Sequence, residues 1–483
     1  MSIMFLFIHI LESELVSGFL TEHSSAIFVE LVNCFLTKYV DVFFSFLVIK
    51  FSLISLVSVA QAKYICLARD NYPNKSIKMT DYEFHQWFVG FTDSEGCFYI
   101  NTANNVLSFR FTINLHLDDK EALEFIKNRL NCGTIFLREK TANFYLTKID
   151  DIKTILIPLF EKFPLNGVKY LDYLAFKEAI TIKLDDSLSK SKKFELITAL
   201  KDSMKNKRVN FAMPSTHTIR ITPYWLLGLI EGEGSFCLND PKNMGISFSI
   251  ALTYVQASLI NAIKNFLDTY LIDDVHFQAS PNYQEIISKR SFLSVKKKST
   301  NNSNPAIEIS IRQVNFIVDK FIPMLSNLNF VTKKYKDFLD WGFIAYLIYN
   351  GKHTTEAGRE LIIKISKGMN NYRLSTFKDL ENEMGFRSAK IPQSLIDEVL
   401  NMEDIYIKDQ DGLRIDASTL SLVKSQLFYI LAKGSNGEKL IFKDSKTCAE
   451  YFGITSQALN IRLKKKLLLV SNNVKFKLSR KSL

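Results

Sequence analysis

A chain of 483 residues has room for two or three domains, and its 47% apolar and 13% aromatic content excludes a mainly disordered protein. A formal charge of +11 points to an anionic partner, either nucleic acid or an anionic membrane surface. The six cysteines and seven histidines are scattered without zinc-knuckle or redox spacing. Any metal site must therefore rest on carboxylates, which favours a hard cation such as Mg²⁺.

Residues 1–62 contain the apolar run FFSFLVIKFSLISLVSVAQA, broken once by Lys50. It is long enough to span a bilayer, and its small-residue close resembles a late signal-peptide ending. A membrane segment and an upstream-exon fusion are both open here. From residue 80 the text becomes globular. Thr80 to Glu83 read as a capping box, so a helix starts there and runs through Trp87 and Phe91 to Gly96. LSFRFTINL alternates as a strand, DDKEALEFIKNRL is an amphipathic helix, and GTIFLREKTANFYLTKI is a hairpin. Two further helices follow, over DDIKTILIPLFEKFPL and KYLDYLAFKEAITI.

The second half repeats this order. Thr222 caps a helix with Pro223 at its first position. GISFSIAL is the strand, SLINAIKNFL the helix, EISIRQV another strand, and FIPMLSNLNFVTKKYKDFLDW the close. Trp87 to Trp225 and Glu95 to Glu233 are each 138 residues apart, while Pro158 to Lys169 and Pro323 to Lys334 are each 11. Between its motif and its closing proline the second copy is 27 residues longer, and the polar SVKKKSTNNSNP is expected to be the loop that holds the excess. Two copies make a tandem pseudo-dimer rather than a solenoid. The expected divisions are a first unit over 80–205, a second over 215–375, a linker or extension over 376–430, and a small module over 431–483. In that module, EKLIFKDSKTCAEYFGITSQALNIRLKKK predicts a strand and then two helices about a tight turn, a helix-turn-helix with Arg462 among its DNA-binding residues.

The stretches GFTDSEGCF and GLIEGEGSF each set an acid at the end of a helix, before a glycine. Glycine tolerates the left-handed backbone of a helix end, which is one reason to find it there. That end of the helix dipole is already negative, so a carboxylate in both copies implies a positive partner. Gly90 and Gly228 sit in helix interiors, where glycine costs roughly 1 kcal/mol against alanine. Their expected use is close approach of the two motif helices. Packed side by side, those helices bring Glu95 and Glu233 together, a geometry suited to metal-assisted phosphodiester hydrolysis.

FVGFTDSEG and LLGLIEGEG resemble the two signature motifs of the LAGLIDADG homing endonucleases. Trp87, Trp225, Phe98 and Phe236 fit that family too, and the resemblance covers roughly residues 80–375. It implies an α+β fold of two pseudo-symmetric αββαββα units, forming a saddle of antiparallel sheets over double-stranded DNA. It places the metal on Glu95 and Glu233, each glutamate where the namesake motif has aspartate. Asp93 and Glu231 match the motif's earlier acid, which in the family is mainly structural. Lys169 and Lys334 are the candidate catalytic bases or transition-state cations, with a role on DNA phosphates or as helix caps equally open, and Lys333 comes next. Outward strand positions Arg110, Asn114, Arg138, Lys140, Ser249 and Arg312 are the candidate DNA contacts, since arginine and asparagine suit bidentate bonds to guanine and adenine. The C-terminal module resembles small DNA-binding repeats appended to some homing nucleases. The expected function is a Mg²⁺-dependent, site-specific double-strand endonuclease acting as a monomer. The alternative is a maturase that binds its host intron RNA. The Lys-, Asn-, Ile- and Phe-rich composition fits a mitochondrial intron reading frame.

Overall fold

The computed structural model describes residues 77–270, 293–298, 305–370, 374–375, 391–423, 426, 428–442 and 444–482. The apolar segment at 1–62 lies outside the described residues, as does most of the expected loop after Lys298. No helix among the described residues is long and apolar enough to cross a membrane.

The first unit runs α1 (Asp81–Glu95), β1 (Gly96–Asn101), β2 (Ser108–His116), α2 (Lys120–Leu130), β3 (Thr134–Leu137), β4 (Thr141–Leu146), α3 (149–162) and α4 (Lys169–Leu184), followed by α5 (Lys190–Asp202). The second runs α6 (Pro223–Glu233), β5 (Gly234–Asp240), β6 (Gly245–Thr253), α7 (Ala257–Tyr270), β7 (Leu293–Lys298), β8 (Ala306–Ile311), α8 (314–326) and α9 (Lys334–Tyr349). Each unit builds a four-stranded antiparallel sheet of the same topology, β1-β2-β4-β3 and β5-β6-β8-β7. The capping box at Thr80 and the Thr222 cap form as the sequence indicates.

Strand alternation decides which sheet face meets the helices. Phe109, Phe111 and Ile113 of β2 are buried, and between them Arg110 and Thr112 face away from the core. Phe98, Phe111, Phe160 and Tyr173 pack ring against ring in the first unit. Phe236, Phe248, Phe321 and Trp341 do so in the second. Pro158 and Pro323 each follow a π turn, Ile152–Leu156 and Ile317–Phe321. Proline lacks an N–H and crowds the preceding turn, and a wider turn accommodates both.

Two expectations change, and of the two alternatives for 376–430 the structure favours one. The lysine-rich stretch expected as loop opens with β7, paired to β8 from Leu293↔Ile311 to Lys298↔Ala306. Gly96 and Gly234 do end their helices, but with φ −70° and −72° they are extended, not left-handed. They are needed for space: a Cβ on Gly96 would lie 2.5 Å from Thr92 Cγ2, and one on Gly234 would lie 2.5 Å from the Ile230 carbonyl oxygen. Finally, the stretch 376–430 is an extension rather than a bare linker where it is described. It holds α11 (Gln393–Asn401) and a ribbon of β9 (Tyr406–Lys408) and β10 (Arg414–Asp416), after α10 (Glu356–Ser366). The extension is fastened to the end of α9: Ile405 and Tyr406 amides donate to the Asn350 carbonyl, and buried Arg414 donates to the Tyr349 carbonyl.

The C-terminal module is a four-stranded antiparallel sheet, β12-β11-β14-β13, formed by β11 (Phe428–Gly434), β12 (Lys439–Phe442), β13 (Leu469–Ser471) and β14 (Val474–Ser482). The predicted helix pair, α12 (Ser445–Tyr451) and α13 (Ser456–Lys465), packs on that sheet around Ile430, Cys448, Leu459 and Phe476. It is thus part of a mixed α/β module with its own small core, beginning at Phe428 rather than residue 431.

Candidate active site at the helix crossing

The two motif helices, α1 and α6, touch backbone to backbone. A Cβ on Gly90 would sit 1.9 Å from the Trp225 carbonyl oxygen, and one on Gly228 would sit 2.2 Å from that of Trp87. Only glycine fits at either place.

Around the crossing, each unit reaches into the other. Trp87 Nε1 donates to Glu231 Oε2 at 2.5 Å, and Trp225 Nε1 donates to Asp93 Oδ2 at 3.0 Å. Each acid also collects the loop that opens its own unit's last long helix. Asn166 and Gly167 amides donate to Asp93 at 2.9 and 3.0 Å. Val331 and Thr332 amides, with the Thr332 hydroxyl, donate to Glu231 at 2.8, 2.6 and 2.8 Å. Burial pushes Asp93 up to about 6 and Glu231 up to about 7, against the pull of these donors. Both side chains are enclosed by bonds that hold helices and loops in register, which is a structural use of an acid.

Glu95 and Glu233 are the last residues of α1 and α6 and emerge together at one end of the crossing. Glu95 is half-buried and Glu233 is exposed. Glu95 Oε1 lies 3.2 Å from where a Cβ on Gly232 would be, so it reaches the partner motif. Burial raises Glu95 above its ordinary carboxyl value, and the neighbouring Glu233 charge raises it further. Burial raises Glu233 too, opposed by Lys169 and Lys334. A polar cleft of about 450 Å³ opens beside Glu95, lined by Asn114, Asp119, Thr332, Lys334 and Asn370 among others.

The lysines differ. Lys169, at the start of α4, donates its ammonium to the Thr92 and Ser94 carbonyls at 2.9 and 2.8 Å. It therefore caps the negative end of α1, and it supplies the positive charge that an acid there requires. Lys334 lines the cleft, and its ammonium makes no hydrogen bond or ion pair among the described residues. Lys333 is engaged: its amide donates to Asp119 at 2.7 Å, and its ammonium pairs with Asp118 at 3.0 Å. Despite the cost of burial, Ser375 and Lys333 hold Asp118 down to about 2.

Among the outward candidates, Arg110, Asn114 and Ser249 do lie on strand faces away from the core. Arg138 and Lys140 are exposed in the turn between β3 and β4, and Arg312 follows the end of β8, so none of the three is a strand-face residue. Arg462 folds back on its own helix, donating to the Ala458 carbonyl. Asp119 was missed as a cleft residue. Its signal was only the DDK start of a helix, and its counterpart is Gln256, which accepts from the Val168 amide as Asp119 does from Lys333.

The donors available to a cation here are carboxylate oxygens. No cluster of three or more His, Cys, Asp or Glu side chains that could hold a metal is found among the described residues. Two carboxylates completed by water and substrate phosphates suit Mg²⁺ and not a closed protein cage. The raised values of the pair are the penalty that a bound cation would relieve.

Residues 88–180 and 226–345 match the LAGLIDADG endonuclease family, one region in each unit. Each of the two units is similar to that family over its matched region. Over 352 residues it is 27% identical to the uncharacterized mitochondrial protein RF1 of Saccharomyces cerevisiae, covering 71% of this chain and 69% of that one. It is 35% identical over 198 residues to the probable intron-encoded endonuclease Cox1-I1b of Schizosaccharomyces pombe, covering 38% of this chain and half of that one. A solved structure of the LAGLIDADG homing endonuclease I-SmaMI, bound to cleaved DNA, superposes with a TM-score of 0.50 at 21% identity. It covers 62% of this chain and all of that one, and it fits the two-unit α+β saddle. The LAGLIDADG regions thus coincide with the crossing and the two sheets, and not with the C-terminal module.

Proposed function

We propose that the protein is a site-specific DNA endonuclease that makes a double-strand break in a long asymmetric target. The observation that carries this reading is the pair Glu95 and Glu233, delivered to one end of two helices in backbone contact. In this reading the pair would hold Mg²⁺, which would supply Lewis acidity to the phosphodiester. The chain's own residues do the rest. Gly90 and Gly228 set the spacing of the acids, and Asp93 and Glu231 lock the crossing. Lys169 balances the charge at the end of α1, and Lys334 faces the phosphate from the cleft. The outward faces of the two sheets follow the major groove, and the C-terminal module adds backbone affinity through the exposed lysines of α13 and its end, Lys464 to Lys466. One chain carries both halves of the site and acts as a monomer, in the mitochondrion and on an intron-insertion sequence.

The test is incubation of the full chain with DNA spanning the intron-less insertion site, in Mg²⁺ or in EDTA. Double-strand cleavage in Mg²⁺ alone is expected. Tight binding of the intron RNA with no cleavage under any divalent metal would overturn the endonuclease reading in favour of a maturase.

A further inference from the structure

We infer that Arg110 is the guanine-reading residue of the first unit, so that the half-site under this unit carries one fixed guanine. The inference rests on the endonuclease reading and deepens it.

Arg110 stands mid-strand in β2, on the face away from the core, opposite Tyr99 of β1. Its guanidinium carbon lies 5.0 Å from the Tyr99 ring centre and 4.6 Å from that of Tyr145. It is stacked between two aromatic rings, each attracting the cation through its electron-rich face. Tyr145 is itself braced by Phe136, at 5.2 Å between ring centres, and the Lys205 ammonium sits 5.1 Å from the Tyr99 ring. The guanidinium makes no hydrogen bond or ion pair among the described residues, and its Nε is buried without a partner. A flat guanidinium fork, held by rings and not by an acid, leaves its donors unspent among the described residues. That arrangement suits guanine, whose O6 and N7 in the major groove accept two parallel bonds from arginine. Holding the side chain in advance also lowers the ordering cost of binding.

The second unit lacks the device. Strand register matches Arg110 to Ser247, Tyr99 to Cys237 and Tyr145 to Ser310. Ser247 is buried and already accepts a bond from Asn239 at 2.6 Å. The guanine therefore belongs to one half-site only.

The test is selection from a randomised double-stranded DNA library by the full chain, with EDTA present so that no strand is cut. Wild type, Arg110→Lys, Arg110→Ala, Tyr145→Phe and Tyr145→Ala are compared. The wild type is expected to require guanine at one position by about tenfold or more. In both Arg110 variants that preference falls to about threefold or less, with the other positions unchanged. Tyr145→Phe keeps the ring and the preference, while Tyr145→Ala loses part of the preference at the same position. The inference is overturned if Arg110→Lys retains the wild-type profile, or if Arg110→Ala weakens binding evenly at all positions, as loss of a phosphate contact would. If the wild type enriches sequences but none depends on Arg110, this inference alone fails. If it enriches no DNA at all, the endonuclease reading fails and this inference goes with it.

Discussion

Lys169 and Lys334 begin equivalent helices, yet the first is spent on two carbonyls of α1 and the second stands in the cleft without such bonds. Asp119 and Gln256 cap equivalent loops, one with a charge and one without. The outward sheet faces differ more: a stacked arginine in the first unit, small hydroxyl and thiol side chains in the second. Against this, the crossing glycines, the exchanged tryptophan-to-acid bonds and the π turns before proline recur in both units. Parts in contact with the other unit are constrained by backbone sterics and by buried polar groups that must be paired. Surfaces that face a partner are free to diverge, and the asymmetric DNA target proposed above would give them reason to.

The largest expected effect probes the shared crossing. Gly90→Ala or Gly228→Ala forces a methyl onto a carbonyl that cannot move without parting the helices, and should cost about 3 kcal/mol or more in chemical denaturation. Gly342 is the control: a Cβ there meets only Ile322 Cδ1 at 3.7 Å, so Gly342→Ala should stabilise α9 by up to about 1 kcal/mol. Equal losses in all three would break the distinction between crossing glycines and ordinary ones.

Next is the buried acid of the second unit. Glu231→Ala leaves Trp87 Nε1 and two amides without an acceptor, and should cost about 2–3 kcal/mol. Its titration gives a finer readout. Glu231 is raised from an ordinary 4.5 to about 7 by burial, so the folded protein keeps its proton longer than the unfolded chain. That contribution is full below about 4.5 and is lost as pH rises through about 7. Stability measured across that window should decline with pH more steeply in the wild type than in Glu231→Gln. Parallel curves would show that Glu231 does not titrate there.

A smaller effect separates the lysines. Lys169→Met removes a cap from α1 and should lower stability by about 1–2 kcal/mol. Lys334→Met should leave stability within about 0.5 kcal/mol while slowing cleavage. Matching changes in both quantities for the two variants would erase the proposed division of labour.

Much of the fold was legible because local signals agreed. The Thr80 capping box, the alternation through Phe109, Phe111 and Ile113, and the repeated Pro158 and Pro323 each announced an element. The crossing glycines were legible because glycine in a helix interior needs a reason. Other features were hidden. β7 and β14 are laced with lysines, so strands were masked by charge. In β14, Val474, Phe476 and Leu478 still alternate toward the module's core, a pattern that could have been read. The links among Lys333, Asp118 and Ser375 join residues more than 200 positions apart, which no local pattern encodes. The different fates of Lys169 and Lys334 depend on packing for the same reason.

The central claim is that Glu95 and Glu233, brought together by the glycine crossing, form one DNA-cutting centre. The direct measurement is linearisation of a supercoiled plasmid carrying the insertion site, with DNA binding followed in parallel, for wild type, Glu95→Gln and Glu233→Gln. The wild type should linearise the plasmid in Mg²⁺, and each variant should bind it while linearising at least about a hundredfold more slowly. Either variant linearising DNA at the wild-type rate would contradict the account.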